Sequence, residues 1–302
     1  MDKKLKVVIL GKGAMLANLI RGAILSDVDI VGVLRYERLH LNFVSMIIHD
    51  FFDPSPELTL IKKHGIVDLN FCTANSEKFR KFLIKNNVDV ILVGTWSEKI
   101  EKKTFDIPRL GTINVHPSLL PKYRGVNPYL ETIRHGEKFS GITFHLMTEN
   151  LDAGAILVQE KIEILDSYTG LELRNKTAFR ARFLCEGLLE QLKQGCIIPT
   201  PQDESVATYF KDIEPCEMTL DFRNETSDEI IRHVRAFHPF RPTYIEENDL
   251  FWKVDAYKIK KTDEFGIPYE FLYSDKSSKI IACADGVGVE FKGLKKYNKY
   301  SS

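Results

Sequence analysis

The segment 111–125, GTINVHPSLLPKYRG, decides the fold of this chain and carries its chemistry. Its β-branched threonine, isoleucine and valine predict that residues 112–115 extend as a short strand. His116-Pro117 ends that strand, because a residue before proline disfavours the helical region and Pro117 donates no backbone hydrogen bond. Residues 119–125 then have the composition of a loop suited to covering a ligand.

Two polar residues of this segment predict a site at the end of the strand. Asn114 and His116 are two residues apart, so they project from the same face, and open α/β sheets bind ligands beyond the carboxyl ends of strands. A lone histidine in such a place is more often structural. However, segment 149–157, ENLDAGAIL, places Asp152 in a glycine-containing turn before an apolar strand. An amide, an imidazole and a carboxylate at neighbouring strand ends predict an acid–base site.

Residues 114–125, followed by Leu151-Asp152-Ala153-Gly154, resemble the formyltransferase family that uses 10-formyltetrahydrofolate. That family includes methionyl-tRNA formyltransferase, nucleotide-linked amino-sugar N-formyltransferases and glycinamide ribonucleotide transformylase. The core of the resemblance covers about residues 89–161, and a weaker similarity extends over residues 206–244. It implies an α/β fold with a Rossmann-like, mostly parallel sheet, followed by a small OB-like β-barrel. It also implies 10-formyltetrahydrofolate as co-substrate and no metal.

The resemblance implies that Asn114, His116 and Asp152 are the catalytic residues. Asn114 would hydrogen-bond the formyl oxygen, and His116 would help to stabilise its charge and take part in proton transfer. Asp152 would orient His116 and accept a proton from the attacking amine. The division of acid–base roles between His116 and Asp152 stays open. The absence of an evident Cys or Ser nucleophile or metal cluster in the sequence agrees with direct transfer.

A second group of residues is expected to bind the folate. The family builds its pterin pocket from the segment after a buried strand, here residues 94–100 after strand 88–93. A purely structural role for Trp96, packed against its neighbours, fits the sequence as well as a role in pterin binding does. His145 is on the same face of strand 140–147 as Thr143 and is within reach of the site, although packing is the favoured interpretation. The expected folate-binding residues are Trp96, Ser97, Ile100, Leu119, Pro121, Tyr123, Arg124 and Gly125.

Composition places the chain among ordinary globular proteins of two domains. It has 302 residues, of which 44% are hydrophobic, and its 42 basic and 42 acidic residues cancel. No global charge therefore draws it to nucleic acid or membrane. The five cysteines form no CxxC pair, and no signal peptide or spanning segment is evident. These features predict a reduced, cytoplasmic protein with no membrane association.

Further elements follow from local patterns. An apolar strand at 7–10 leads into GKGAML, which lacks the third glycine of GxGxxG, so a tight β-to-α turn is favoured over a nucleotide site.

Helices are expected near 40–51 and 56–64. The linker composition before residue 204 predicts a catalytic domain 1–204 and a barrel domain 205–302. In the latter we expect short strands at 207–210 and 218–222, a helix 227–237 with Ser227 as N-cap, and barrel strands over 243–298.

The acceptor amine is the least determined feature. Residues 205–302 contain 15 basic and 17 acidic residues, whereas a domain that binds tRNA should be basic. The region after the second strand also lacks the basic, glycine-rich loop of methionyl-tRNA formyltransferases. A nucleotide-linked amino sugar is therefore the favoured acceptor, with methionyl-tRNA as the alternative. A folate-binding module or a 10-formyltetrahydrofolate hydrolase is an alternative of another class. The sequence leaves open whether the barrel mediates a homodimer or holds a second ligand.

Overall fold

The computed structural model describes residues 4–39 and 55–297, so the helix expected near 40–51 lies outside the described residues. The chain divides into two compact units. The first unit comprises Met1–Arg124, Gly141–Ile162 and Asn175–Tyr209. The second unit comprises Gly125–Ser140, Glu163–Arg174 and Phe210–Ser302.

A six-stranded sheet in the order β2-β1-β3-β4-β6-β7 organises the amino-terminal part of the chain. Strands β1 to β4 are mutually parallel where they pair, and β6 pairs antiparallel with β4. This mostly parallel sheet with helices confirms the predicted α/β fold. The strand bounds are β1 Lys6–Gly11, β2 Asp29–Arg35, β3 Val90–Gly94, β4 Thr112–His116, β5 Arg124–Gly125, β6 Phe139–Leu146, β7 Ile156–Glu163 and β8 Tyr209–Phe210.

The helices expected at 56–64 and 227–237 are present as Pro56–Lys63 and Ser227–Phe237. Residues that recur at helical spacing supply the buried face of a helix, as with Phe79 and Leu83, which are completely buried. Burial of one such side chain stabilises the fold by roughly 1.5–3 kcal/mol. The bounds are α1 Gly13–Leu25, α2 Pro56–Lys63, α3 Glu77–Asn86, α4 Lys102–Phe105, α5 Pro128–Arg134, α6 Gly170–Gln194 and α7 Ser227–Phe237.

The turn between β1 and α1 is a structural turn, as the sequence predicts. A Cβ atom added at Gly11 would lie 2.1 Å from the carbonyl oxygen of Gly94, so the two strands approach too closely for a side chain. The backbone N–H of Gly13 donates to Oε1 of Glu57 at 2.9 Å. A carboxylate thus occupies the helix N-terminus, which in dinucleotide-binding proteins receives a phosphate.

The second unit contains two small antiparallel sheets, in agreement with the predicted small β domain. One has the strand order β15-β10-β9 and the other β11-β14-β13-β12. Their bounds are β9 Tyr244–Glu247, β10 Leu250–Lys253, β11 Ile259–Phe265, β12 Phe271–Ser274, β13 Ser278–Ala282, β14 Val287–Lys292 and β15 Lys295–Tyr297.

Two local predictions in this unit are wrong. The expected strand 218–222 is reduced to a single β-bridge of Thr219 with Tyr244, which lies between a 3-10 turn over Pro215–Met218 and a turn in which Asp221 accepts from the Arg223 N–H. Proline at the first position starts the 3-10 turn. The N-cap of α7 is Thr226, not Ser227, because Thr226 and Glu229 form a capping box. Ser227 Oγ instead donates to Asp285 Oδ2 at 2.7 Å.

Helices able to cross a bilayer are absent from residues 4–39 and 55–297, since none there combines the necessary length with sufficient apolar character.

Candidate active site

Strand pairing brings four polar residues onto one face of the sheet. The antiparallel register of β4 and β6 pairs Asn114 with His145 and His116 with Thr143. Because residues opposite each other in a sheet project to the same side, all four side chains share a face. Asp152 reaches them from the turn between β6 and β7. His116, His145 and Asp152 are nearly completely buried, with exposed fractions of 4%, 2% and 5%.

The side-chain atoms of four residues converge at this point. Asn114 Nδ2 lies 3.4 Å from Asp152 Oδ1 and 3.2 Å from His145 Nε2. His116 Nδ1 lies 3.5 Å from Asp152 Oδ2, and His145 Nε2 lies 3.6 Å from Asp152 Oδ1. The structure therefore brings together the three residues that the sequence singled out and adds His145. We call Asn114, His116, His145 and Asp152 the polar cluster.

Backbone carbonyls determine where each imidazole carries its proton. His116 Nε2 lies 2.8 Å from the carbonyl oxygen of Tyr123, which only accepts, so Nε2 carries the hydrogen. His145 Nδ1 likewise donates to the carbonyl oxygen of Leu146 at 3.0 Å, which leaves Nε2 as an acceptor. Asn114 must then present its NH₂ group to His145, and this places an amide donor in the polar cluster.

The electrostatics of the cluster favour a neutral His116. Burial lowers the pKa of His116, and the Asp152 carboxylate, which acts in the opposite direction, does not compensate. The neutral ring with its hydrogen on Nε2 has a lone pair on Nδ1, which faces the Asp152 carboxylate. Two acceptors therefore face each other, and a proton arriving between them would bond to both. This is the arrangement of a proton-accepting pair.

The turn that carries Asp152 has a constrained backbone. Asp152 has φ 54°, in the left-handed region that is uncommon for residues other than glycine. Two residues later, a Cβ added at Gly154 would lie 1.8 Å from the Leu146 carbonyl oxygen, so only glycine fits. Thr148 Oγ1 donates to the carbonyl oxygen of Asn150 at 2.9 Å within the same turn. The backbone thus returns closely on β6 and aims the carboxylate at β4.

Hydrogen bonds from neighbouring strands brace the loop after β4. Thr143 Oγ1 donates to the carbonyl oxygen of Ser118 at 2.7 Å, and Ser118 Oγ donates to that of Lys122 at 2.8 Å. Gln159 Nε2 donates to the carbonyl oxygen of Leu120 at 2.9 Å and to Thr143 Oγ1 at 2.8 Å. The Leu120–Pro121 peptide is cis. Neighbouring strands thereby fix the loop that also supplies the Tyr123 carbonyl to His116.

The residues expected to bind folate fall into two groups. Tyr123 and Arg124 are buried beside the polar cluster, and Leu119 lies close to the Gly141 backbone. Pro121 accepts a hydrogen bond from the Thr208 N–H, and Gly125 belongs to the second unit. In contrast, Trp96 and Ile100 pack with the hydrophobic core under the sheet, and Ser97 is exposed. Trp96 contacts Tyr36 edge to face with ring centroids 5.1 Å apart.

An open cavity of about 600 Å³ lies beside the Asp152 turn in the first unit. Residues of the turn itself line it, together with the ion pair of Arg124 Nη2 with Glu204 Oε1 at 2.7 Å. Its lining residues are Arg124, Thr148, Asn150, Leu151, Ala153, Glu204, Ala207, Thr208 and Tyr209. Its volume lies within the range of about 300–1,000 Å³ usual for small-molecule sites.

Sequence reasoning missed two residues of this region. It favoured packing for His145, although the alternation of strand 140–147 already placed this residue on the face of Thr143. Gln202 lies in a segment interpreted only as a linker, yet it hydrogen-bonds the backbone of the Asp152 turn. A local pattern offers no signal for Gln202, because its partners are about 50 residues away in sequence.

Sequence comparison gives the class of protein that this fold and site define. The chain belongs to the formyl transferase family: residues 3–186 match the family's formyl transferase domain and residues 212–300 match its C-terminal domain. The chain is accordingly a formyltransferase enzyme.

Individual relatives differ in the acceptor that their names state. The chain is 35% identical over 228 residues to a methionyl-tRNA formyltransferase of Lachnospira eligens, an alignment that covers 74% of this chain and 72% of that protein. Its fold is similar to that of WlaRD, a sugar 3N-formyl transferase solved in the presence of dTDP and 5-N-formyl-THF. The TM-score is 0.70 at 19% identity, and the alignment covers 98% of this chain and 99% of that chain. An N-formyltransferase of Helicobacter canadensis, in complex with folinic acid and dTDP-3-aminofucose, has the same TM-score of 0.70 at 19% identity, covering 97% and 100%.

Proposed function

We propose that this formyltransferase moves the formyl group of 10-formyltetrahydrofolate to the primary amine of a nucleotide-linked amino sugar. The observation that carries the proposal is the convergence of Asn114, His116 and Asp152 on one buried point. Transfer of a formyl group to an amine requires a donor for the developing oxyanion and a base for the amine proton, and both are present there.

The polar cluster supplies these two functions through different atoms. A neutral amine attacks the formyl carbon, and the Asn114 NH₂ group donates to the formyl oxygen as negative charge develops on it. The ammonium proton of the addition intermediate passes to the His116–Asp152 pair, whose facing acceptors lie 3.5 Å apart. Collapse of the intermediate breaks the bond to the folate nitrogen, which takes up a proton and leaves as tetrahydrofolate. No enzyme-bound formyl intermediate is needed.

The folate would bind between the β3 end and the loop after β4. Trp96 and Ile100 pack into the hydrophobic core at this end of the sheet, so the backbone of residues 94–100 would form this side of the pocket. The braced loop 119–125 would cover the donor from the other side. In two sugar formyltransferases of similar fold, folate derivatives were present in the solved structures, which supports the same co-substrate here.

The cavity beside Asp152 and the charge of the second unit favour a small acceptor. The cavity volume of about 600 Å³ suits a nucleotide sugar rather than a polynucleotide surface. Among the basic residues of the second unit, several are already paired with carboxylates, namely Arg241, Lys258, Lys260, Lys261, Lys279 and Lys292. A surface that neutralises phosphates needs cations that are not satisfied in this way.

Methionyl-tRNA is the second candidate acceptor, because relatives with about one third identity carry that name. The two candidates differ in their dependence on salt. Binding of tRNA should weaken steeply between about 50 and 200 mM salt as counterions are released, whereas binding of a nucleotide sugar should change little. Equilibrium binding of dTDP-, UDP- and GDP-linked amino sugars and of methionyl-tRNA at both salt concentrations tests the proposal. Salt-sensitive binding of tRNA alone would contradict it.

A further inference from the structure

One side chain from elsewhere in the chain binds two backbone carbonyl oxygens of the Asp152 turn. Gln202 Nε2 donates to the carbonyl oxygen of Asp152 and to that of Gly154, both at 2.7 Å. Both hydrogens of the amide are therefore used on this one turn. The bonds are short for N–H···O contacts, whose usual length is about 2.9–3.0 Å. They hold the turn on both sides of Ala153.

The other end of the same amide is held by an arginine. Gln202 Oε1 accepts from Arg124 Nη2 at 2.8 Å and from Arg124 Nε at 3.2 Å. Since the guanidinium only donates and the two backbone carbonyls only accept, the orientation of the Gln202 amide is unambiguous. Every hydrogen-bonding position of this amide is satisfied. Arg124 is itself buried and paired with Glu204, so the support extends into the loop that follows β4.

The backbone that Gln202 holds is the one that aims the Asp152 carboxylate. A non-glycine residue at φ 54° is disfavoured by about 1–2 kcal/mol and persists only when its surroundings impose it. The bond to the Asp152 carbonyl fixes the peptide that follows this residue, and the bond to the Gly154 carbonyl fixes the exit of the turn. Movement of the turn would carry the carboxylate away from His116 Nδ1, from which it lies 3.5 Å.

We propose that Gln202 is a positioning residue for the reaction, which holds Asp152 in the conformation that pairs it with His116. The proposal rests on the proposed function of Asp152. Gln202 acts through the two backbone carbonyls, while Arg124 orients its amide. It is not itself in contact with the reacting atoms.

Two substitutions separate the contribution of the amide's N–H donors from that of its oxygen acceptor. Gln202→Leu removes all four hydrogen bonds, whereas Gln202→Glu keeps an acceptor for Arg124 and removes both N–H donors to the turn. We expect both variants to lose about 10- to 100-fold in kcat, because misplacement of a catalytic group by about 1 Å has effects of this size. The KM for 10-formyltetrahydrofolate should stay within about twofold, since the loss falls on the chemical step. Asp203→Asn is the matched control, because Asp203 bonds only its neighbour Ser205 in the described contacts, and it should keep the wild-type kcat.

A double-mutant cycle with Asp152→Ala tests whether Gln202 acts through Asp152. Single-turnover release of tetrahydrofolate is measured with excess enzyme, using the sugar nucleotide or methionyl-tRNA that the wild type turns over. In the Asp152→Ala background, Gln202→Leu should cost less than about twofold, since the residue it positions is gone. A full 10- to 100-fold further loss would overturn the inference. A Gln202→Glu variant with wild-type kcat would overturn it as well.

The outcomes also separate this inference from the proposed function. Wild-type turnover by Asp152→Ala would contradict the assigned role of Asp152, whatever Gln202 does. A large loss in Asp152→Ala together with wild-type kcat in Gln202→Leu would contradict the positioning role alone. Folinic acid binding and the thermal unfolding midpoint, measured on the same variants, show that each is folded and able to bind the co-substrate.

Discussion

His116 Nδ1 lies 3.5 Å from Asp152 Oδ2 while the Nε2 of the same ring donates to the Tyr123 carbonyl. With burial lowering the pKa of His116, the two facing atoms are both acceptors at neutral pH. Burial disfavours the charged imidazolium, so at neutral pH the place between these two atoms holds no proton in the folded protein. The amine proton released during formyl transfer would enter this place, which links the contact to the chemistry.

Replacing Asp152 by asparagine should stabilise the protein and abolish its activity. The Asn NH₂ group would donate to His116 Nδ1, so the facing acceptors become a hydrogen-bonded pair worth about 1 kcal/mol. The proton acceptor is lost at the same time, and kcat should fall by at least about 10². Thermal unfolding and tetrahydrofolate release measure the two effects, with Asp203→Asn as the control. A variant that is active, or clearly less stable, would contradict the assigned pairing.

Replacing Asn114 by alanine should remove the donor to the formyl oxygen. We expect kcat to fall by about 10²–10³, the usual effect of losing one oxyanion donor, while folinic acid binding changes little. Asn114→Asp should be at least as damaging, because a second carboxylate would then face Asp152 and the His145 Nε2 acceptor. Turnover by Asn114→Ala near the wild-type rate would exclude this residue as the oxyanion donor.

Acid should reduce both the activity and the stability of this protein. Burial places the folded-state pKa of His116 below its ordinary value of 6.5, so kcat/KM should hold at neutral pH and fall on an acid limb below 6.5. The apparent pKa of that limb belongs to the His116–Asp152 pair. Below 6.5 His116 binds more protons in the unfolded chain than in the folded one, so its contribution to the free energy of unfolding decreases as pH falls. The unfolding midpoint of His116→Gln should therefore decrease less between pH 7 and pH 5 than that of the wild type. Equal decreases would contradict the lowered pKa.

The sequence-based boundary near residue 204 remains a proposal that truncation can test. The second unit takes in Gly125–Ser140 as well as Phe210–Ser302, and Arg134 Nη1 of α5 lies 2.6 Å from Glu217 Oε1. A chain ending at residue 204 would therefore expose the buried Leu130 and Ile133 of α5. We expect it to be less soluble than the full chain. A soluble fragment that binds folinic acid as tightly as the full chain would instead support 1–204 as an independent domain.

The sequence predicted those features that depend on local alternation and on strand ends. Asn114 and His116 share a face because they are two residues apart, and this needs no knowledge of the partner strand. The role of His145 depends on the β4–β6 register, which pairs it with Asn114 across 31 residues of sequence and is not encoded in either strand alone. The bond of Gln202 to Asp152 spans 50 residues and lies in a segment without periodicity. Such contacts follow from tertiary packing and not from local pattern.

Errors at the ends of elements have a similar origin. Residues 218–222 alternate as a strand would, but Pro215 starts a 3-10 turn, and the carboxylates of Glu217 and Asp221 accept from the backbone N–H groups of Glu214 and Arg223. Side chains that bond the local backbone compete with strand pairing. The displacement of the α7 N-cap by one residue arose because threonine and serine are adjacent and both can cap.

The measurement that tests the central claim most directly is release of tetrahydrofolate from 10-formyltetrahydrofolate, with dTDP-, UDP- and GDP-linked amino sugars and methionyl-tRNA offered in parallel. We predict turnover with one sugar nucleotide, with the formyl group recovered on its amine, and none in the Asp152→Asn variant. Turnover with methionyl-tRNA alone would contradict the proposed acceptor. Formate release without any amine would contradict transfer itself and indicate a hydrolase.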